Sequence, residues 1–307
     1  MSGQLRWLGH STVVVDVEGV RVVTDPVLRA GLAHLRRRQP VPAADHSARA
    51  HVAVVSHLHH DHCDVASLRA LDADWVVAPP GAARWLRHRL RPVGSRVVEA
   101  GAGQTVHLPV RAFDGSRREV AVTALPAHHD GGRTLALLTG APRDAAAVGH
   151  LLEVPRADGV PVTVWALGDT GPFPGLEDAV LAQLRARRPG DGRTGPGDGP
   201  VRDPVRGPDV ALVPVGGWGH TLGEHHLDPR QAARVVARVR PALAVPVHWG
   251  TLAPVALGRT MGDRWWAPGR HFADRLARRS DVRAVVLRPG QVLPFDRAPA
   301  APPPAGA

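Results

Sequence analysis

Between Ser56 and Asp64 the chain reads Ser-His-Leu-His-His-Asp-His-Cys-Asp, four imidazoles and two carboxylates in nine residues. Imidazole nitrogen and carboxylate oxygen are ligands that suit zinc or manganese. His57 and His59 stand two apart, so in extended chain they point the same way. Asp61 and His62 follow where the chain must bend into a helix. An apolar run, Val52–Val55, leads into the segment, and loops at strand ends are where functional groups are displayed. A histidine-rich surface loop would bind metal loosely. Alternation of His with Leu and Asp behind a buried strand fits an organised centre instead.

Three further apolar runs end in ligand-type residues. Val120–Leu125 precedes Pro126-Ala127-His128-His129, Val162–Leu167 precedes Gly168-Asp169-Thr170, and Leu243–Val247 leads to His248. Residue chemistry leaves His128 and His129 open as alternatives, and Gly-Asp-Thr-Gly would also make a good turn. A glycine-rich stretch, 216–226, carries His220, His225 and His226. His10 and Asp25 either support the ligands from behind or close turns. Cys63 reads as a packed core thiol.

The elements that must position these groups are short valine-rich runs alternating with amphipathic helices. Strands are predicted at Thr12–Val17, Val20–Thr24, Val52–Ser56, Trp75–Ala78, Val120–Leu125, Thr134–Leu138, Val162–Leu167, Asp209–Val213, Leu243–Val247 and Val282–Leu287. Glu18-Gly19 joins the first two as a hairpin turn. Helices are predicted at Asp64–Leu71, Ala82–Leu90, Leu176–Arg187, Pro229–Val239 and Arg270–Arg278. Asp228 and Pro229 give the fourth its cap and first residue, and Ala233, Val236 and Val239 share its buried face. The pattern is that of a layered α/β domain spanning residues 1–297. Pro189–Pro208 has almost nothing to bury and reads as a disordered insertion, and 298–307 as a disordered Ala/Pro tail.

At 307 residues the chain can bury a large core. The formal net charge of +10 invites a nucleic-acid reading. All the basic residues are arginine, however, and Lys, Ile, Asn and Tyr are absent, the mark of GC-rich coding rather than of a binding face. Arg36-Arg37-Arg38 and Arg185–Arg188 therefore read as solvated faces, with no interleaved aromatics for stacking bases. No nucleic-acid partner is expected. No apolar stretch reaches the roughly 20 residues of a transmembrane helix. The opening residues lack an export signal, and a single cysteine excludes an intrachain disulfide. The expectation is a cytoplasmic protein whose oligomeric state is left open.

His57-Leu58-His59-His60-Asp61-His62 is similar to the HxHxDH signature of the metallo-β-lactamase superfamily. Leu8-Gly9-His10-Ser11-Thr12 with Thr24-Asp25-Pro26 resembles the opening of the branch that holds ascorbate-6-phosphate lactonase and the phospholipase D acting on N-acyl-phosphatidylethanolamine. The resemblance runs from about Leu5 to Thr251, with Pro126–His129, Gly168–Thr170 and Pro246–Thr251 matching later motifs in order. It implies a four-layer αββα sandwich and two divalent metal ions, zinc first and manganese as the alternative. Under it His57, His59 and His129 hold one ion, Asp61, His62 and His248 the other, and Asp169 bridges. It also sets His226 by the pocket, where an imidazolium could bind an anion or donate a proton. Arg133, near His129, offers a bidentate anchor for a phosphate-bearing or other anionic, small or lipid-like ester.

The implied reaction is metal-assisted hydrolysis of a phosphodiester or a lactone, with Asp61 and His226 as the catalytic candidates. A nuclease on the same fold and a non-catalytic metal scaffold are the alternatives. Di-iron relatives carry Glu at the second histidine position, where this chain has His59. Glyoxalase-type relatives carry two glycines where Cys63-Asp64 stands, and antibiotic hydrolysis would require export.

Overall fold

The computed structural model describes residues 3–44, 49–91, 95–133, 136–187, 207–219, 221–255 and 262–296. His220, the 298–307 tail and all but the end of the 189–208 stretch lie outside them.

Two seven-stranded sheets form the centre. The first runs in spatial order Val292–Phe295, Gly3–Gly9, Thr12–Val17, Val20–Thr24, Val52–Val54, Trp75–Ala78 and Arg96–Glu99. The second runs Arg283–Ala284, Leu243–Val247, Val210–Pro214, Val162–Ala166, Val148–Val154, Arg117–Pro126 and Thr105–Arg111. Each joins an antiparallel half to a parallel half. Leu252–Pro254 and the Gly31–Arg37 hairpin make a third, three-stranded sheet beside them.

Alternation along the valine runs explains the layering. Val13 and Val15 point into the core between the two sheets, together with Val122, Leu152 and Val164 from the other side. Val14 and Val23 point outward and are covered, with Ala53 and Val76, by Leu68, Leu71, Leu86 and Leu90 of the helices Val65–Leu71 and Ala83–Leu90. A strand buried on both faces needs apolar residues at successive positions, hence the continuous runs. Helices Leu176–Ala186, Pro229–Val239 and Pro268–Ala277 cover the second sheet with Val180, Val236 and Phe272. The architecture is the expected αββα sandwich.

Local signals act as their chemistry dictates. Glu18 and Gly19 both take positive φ, the geometry of a two-residue hairpin turn. Asp228 accepts from the backbone of Arg230 and Gln231, and Gln231 answers at the Asp228 backbone. Other expectations are corrected. Of the expected Thr134–Leu138 strand, residues 134–135 lie outside the described residues and 136–138 belong to the helical turn Ala136–Thr139, which Gly140 closes at φ +64°. Ala-Leu-Leu is good helix chemistry, and a short apolar run does not declare its period. The 282–287 run is strand at Arg283–Ala284 alone, with the Val285 amide also donating to the Ala244 carbonyl. Thr105–Arg111, not anticipated, is an edge strand, where Pro109 and alternate exposure are tolerated.

Candidate metal centre

The parallel strands point their C-terminal ends toward one rim, where ligands of open sheets gather. Loops after Val52–Val54, Val162–Ala166, Val210–Pro214 and Leu243–Val247 meet there, with the loop after Arg117–Pro126. Gly168 makes the meeting possible. At φ +64° it lies so close to Ser56 that a Cβ would sit 2.8 Å from the serine Cβ, so only glycine brings Asp169 in over the histidine segment.

Asp25 organises the first of these loops. Its carboxylate accepts from the Ser56 backbone at 2.7 Å and from Ser56 Oγ at 2.8 Å. It also accepts from His62 Nδ1 at 2.8 Å. His62 therefore carries its hydrogen on the outer nitrogen and turns Nε2 inward. His248 Nδ1 donates to the Gly216 carbonyl at 2.8 Å and His129 Nδ1 to the His225 carbonyl at 3.0 Å. Ser56 Oγ, having donated to Asp25, accepts from His57 Nδ1 at 3.0 Å. In each case an outer acceptor selects the tautomer and the free nitrogen faces the centre, the arrangement of metal-bound histidine.

The inward atoms form two groups. His57 Nε2 lies 3.0 Å from His59 Nδ1, which is 3.2 Å from His129 Nε2. His62 Nε2 lies 3.1 Å from His248 Nε2, and Asp61 Oδ2 is 3.7 Å and 3.6 Å from those two atoms. Asp169 Oδ2 sits 3.1 Å from His62 Nε2, 3.0 Å from His248 Nε2 and 3.3 Å from His226 Nε2, while Oδ1 is buried without a partner. Asp169 also shares a ligand-sized cluster with His57 and another with His129. Burial holds His57, His59 and His129 in the neutral form, and lone pairs of neutral imidazoles at such separations repel unless a cation lies between them. Burial opposes the charge on Asp61, but His62 with the His10 and His248 contacts holds its carboxyl well below the ordinary range. Burial likewise opposes Asp169, and His248 and His62 override it. Ionised carboxylates facing inward nitrogens are a donor set that fits divalent metal.

His10 backs the second group. Its Nε2 is 2.8 Å from Asp61 Oδ2, and its ring packs 4.0 Å from that of His248. Burial and then His248 push its pKa down to about 3, so the neutral ring donates to Asp61. Both alternatives for His10 and Asp25 apply, since each closes a turn and also holds a candidate ligand.

Two arginines depart from expectation. Arg133 does not join the pocket. Its Nη1 donates to the Leu58 and Cys63 carbonyls at 3.1 and 2.8 Å, its Nη2 to His60 Nδ1 at 2.9 Å, and its guanidinium lies over Trp85. The reading of Arg133 as a substrate anchor is corrected: both terminal nitrogens of the guanidinium are engaged bracing the histidine segment from behind. Arg37 is likewise buried rather than solvated, donating to the Leu8 and Val27 carbonyls. Strand alternation turns it inward between exposed Arg36 and Arg38. Arg133→Ala is expected to cost about 2 kcal/mol or more by stripping donors from buried acceptors. Arg133→Lys should not restore this, because one ammonium cannot span the three acceptors. Thermal unfolding checks both, and KM of the surviving folded enzyme should not move.

Cys63 is buried, and burial pushes its thiol up to about 12, so it packs and does not react. His128 faces away, ring against His225. His226 stands at the mouth of a cavity of about 290 Å³ that Asp61, Asp169 and His248 also line. Its outer wall includes His34 and Trp218, which sequence reasoning missed. They lie on separate loops, and no local spacing ties them.

The model of the beta-lactamase superfamily domain matches residues 20–187 and 191–249. The chain belongs to the metallo-β-lactamase superfamily. An N-acyl-phosphatidylethanolamine-hydrolyzing phospholipase D of Caenorhabditis elegans is 28% identical over 266 residues, 80% of this chain but 63% of the worm protein. This chain therefore spans somewhat less than two thirds of that relative. A metal-dependent hydrolase of Hyperthermus butylicus is 25% identical across 95% of this chain and 100% of its own. Among solved structures, the metallo hydrolase Igni18 of Ignicoccus hospitalis superposes with a TM-score of 0.60 at 20% identity, covering 96% of this chain and 98% of its own. That likeness speaks for the superfamily fold. The superfamily domain is thus present in this chain together with a His/Asp cluster able to bind metal. Among the described residues no helix is long and apolar enough to cross a membrane.

Proposed function

We propose that the chain hydrolyses an ester-type bond, a phosphodiester in preference to a lactone, at a dinuclear centre. His57, His59 and His129 would hold one ion and Asp61, His62 and His248 the other, with Asp169 shared. Zinc suits this nitrogen-rich set best, and manganese is the alternative. The observation that carries the reading is Asp169, whose buried carboxylate belongs to ligand-sized clusters on both sides. Two such ions supply an activated water and neutralise charge at the reacting atom.

The protein's own groups do the rest. His10 and Asp25 keep Asp61 and His62 in place. His226 Nε2, 3.3 Å from Asp169 Oδ2, is placed to hydrogen-bond an anionic oxygen or pass a proton to a leaving oxygen. With Arg133 turned away, the charge of an anionic substrate would fall to His226 and to the ions that His57, His59, His129, Asp61, His62, His248 and Asp169 would hold. A phosphodiester repels hydroxide and gains most from that neutralisation. The worm relative, whose name specifies a phospholipase D, is compatible with it.

Zinc-reconstituted protein is expected to hold about two ions per chain by elemental analysis. It should also turn over bis(p-nitrophenyl) phosphate faster than neutral lactones. No bound metal after reconstitution with zinc or manganese would end the reading. Brisk lactone hydrolysis with every phosphate ester inert would reverse the substrate preference.

A further inference from the structure

We propose that the group beside the scissile bond is a compact planar apolar ring seated on Trp218, not a long acyl chain. The inference rests on the hydrolytic reading of the metal cluster and adds what the substrate carries.

The cavity over the cluster has two unlike ends. Asp61, Asp169, His226 and His248 form the inner one. Leu35, Trp218 and Leu222 form much of the outer one, with His34 at the rim. Trp218 is held there from two sides. Behind, it packs on the buried cluster of Val27, Leu32, Leu35 and Leu252. In front, the His34 ring meets it edge-on, centroids 5.2 Å apart at 74°. Gly217 lets the loop come this close, since a Cβ there would meet Leu222 at 3.2 Å and approach the His248 ring. The indole is a fixed surface beside the reacting centre.

Charge sharpens the argument. The sequence carries 38 basic residues, all arginine, yet no arginine is among the described residues lining this cavity. Metal-ligating and anionic groups are therefore concentrated at the inner end, and the outer end offers mainly the Trp218, Leu35 and Leu222 surfaces, with His34 and Thr221 as its polar side chains. Size then chooses among apolar groups. About 290 Å³ lies at the lower edge of the roughly 300–1,000 Å³ typical of small-molecule sites. A ring bonded next to the ester would stay within a cavity lined by Trp218 and Leu222, whereas a long chain would run out of it with most of its length unburied.

Equilibrium binding of phosphonates to the zinc-reconstituted protein tests this without relying on turnover. Phenylphosphonate is expected to bind about tenfold more tightly than methylphosphonate, the upper end of what one aromatic contact supplies. Dodecylphosphonate should gain nothing over phenyl. Trp218→Ala should collapse the phenyl-to-methyl ratio toward one, and Trp218→Phe should keep most of it. Leu222→Ala, which leaves the indole in place, should lower the ratio in part. A dodecyl compound that binds tightest, a ratio unchanged in Trp218→Ala, or no phosphonate binding at all would overturn the proposal. Hydrolysis of esters with a phenyl-to-methyl ratio near one would overturn it alone. The expected ratio with every ester inert would instead remove the hydrolytic reading and leave the ring site standing.

Discussion

Replacing Asp169 by alanine is expected to release metal from both histidine groups and to lower kcat/KM on the order of 10⁴-fold. The carboxylate is buried, and one oxygen lies 3.0–3.1 Å from the inward nitrogens of His248 and His62. The same residue shares a ligand-sized cluster with His57 and another with His129 and His226. Removing it would take a shared carboxylate out of a site with little water to replace it, so each ion would lose a ligand, and the His57, His59 and His129 group its one carboxylate among the described ligands. Asp169→Asn keeps the shape and loses the charge, and should fall close to alanine. His226→Ala should behave differently. That imidazole is half-buried at the cavity mouth, its Nε2 touching only Asp169 among the described carboxylates. Metal content should survive there while kcat falls. Elemental analysis beside steady-state kinetics separates the two, and an Asp169→Ala protein with full metal and full activity would refute the bridge.

How much of this was readable in advance depends on the range of the interaction. Short-range signals carried far. The alternation in His57-Leu58-His59, the turn at Glu18-Gly19 and the cap at Asp228-Pro229 act within a few residues, and each appears where the chemistry requires it. Positions that needed the third dimension were opaque. Arg133 stands four residues after His129, yet its guanidinium runs behind the histidine segment instead of into the cavity. Nothing in the spacing states that direction. Arg37 sits in a run of three arginines and is buried because a three-residue strand turns it inward. Thr105–Arg111 carries His107 and Pro109 at an edge, where apolar content is too low to signal a strand. The His34–Trp218 contact joins loops from distant parts of the chain.

His10→Ala is expected to weaken metal binding at the Asp61, His62 and His248 group by about 10–100-fold while leaving the other group filled. The side chain meets that group twice, by Nε2 at 2.8 Å from Asp61 Oδ2 and by its ring against His248. Deprived of the donor, Asp61 can rotate, and a ligand free to rotate binds more weakly than one held in place. The loop itself should persist, because its anchors are backbone. The His10 carbonyl accepts from the His248 amide at 2.9 Å and from Trp7 Nε1 at 2.8 Å, and the His10 amide donates to Thr251 Oγ1 at 2.7 Å. His10 holds φ at +52°, a strained value that alanine also tolerates poorly, so the substitution adds a modest backbone cost. His10→Gln controls for this. It carries the same backbone cost but can place an amide donor near the position of Nε2, and it should recover part of the affinity. Titration with a competing chelator should show one ion leaving His10→Ala early and one leaving late, against two late in the unaltered protein. Identical release curves for all three proteins would mean that His10 only closes the turn.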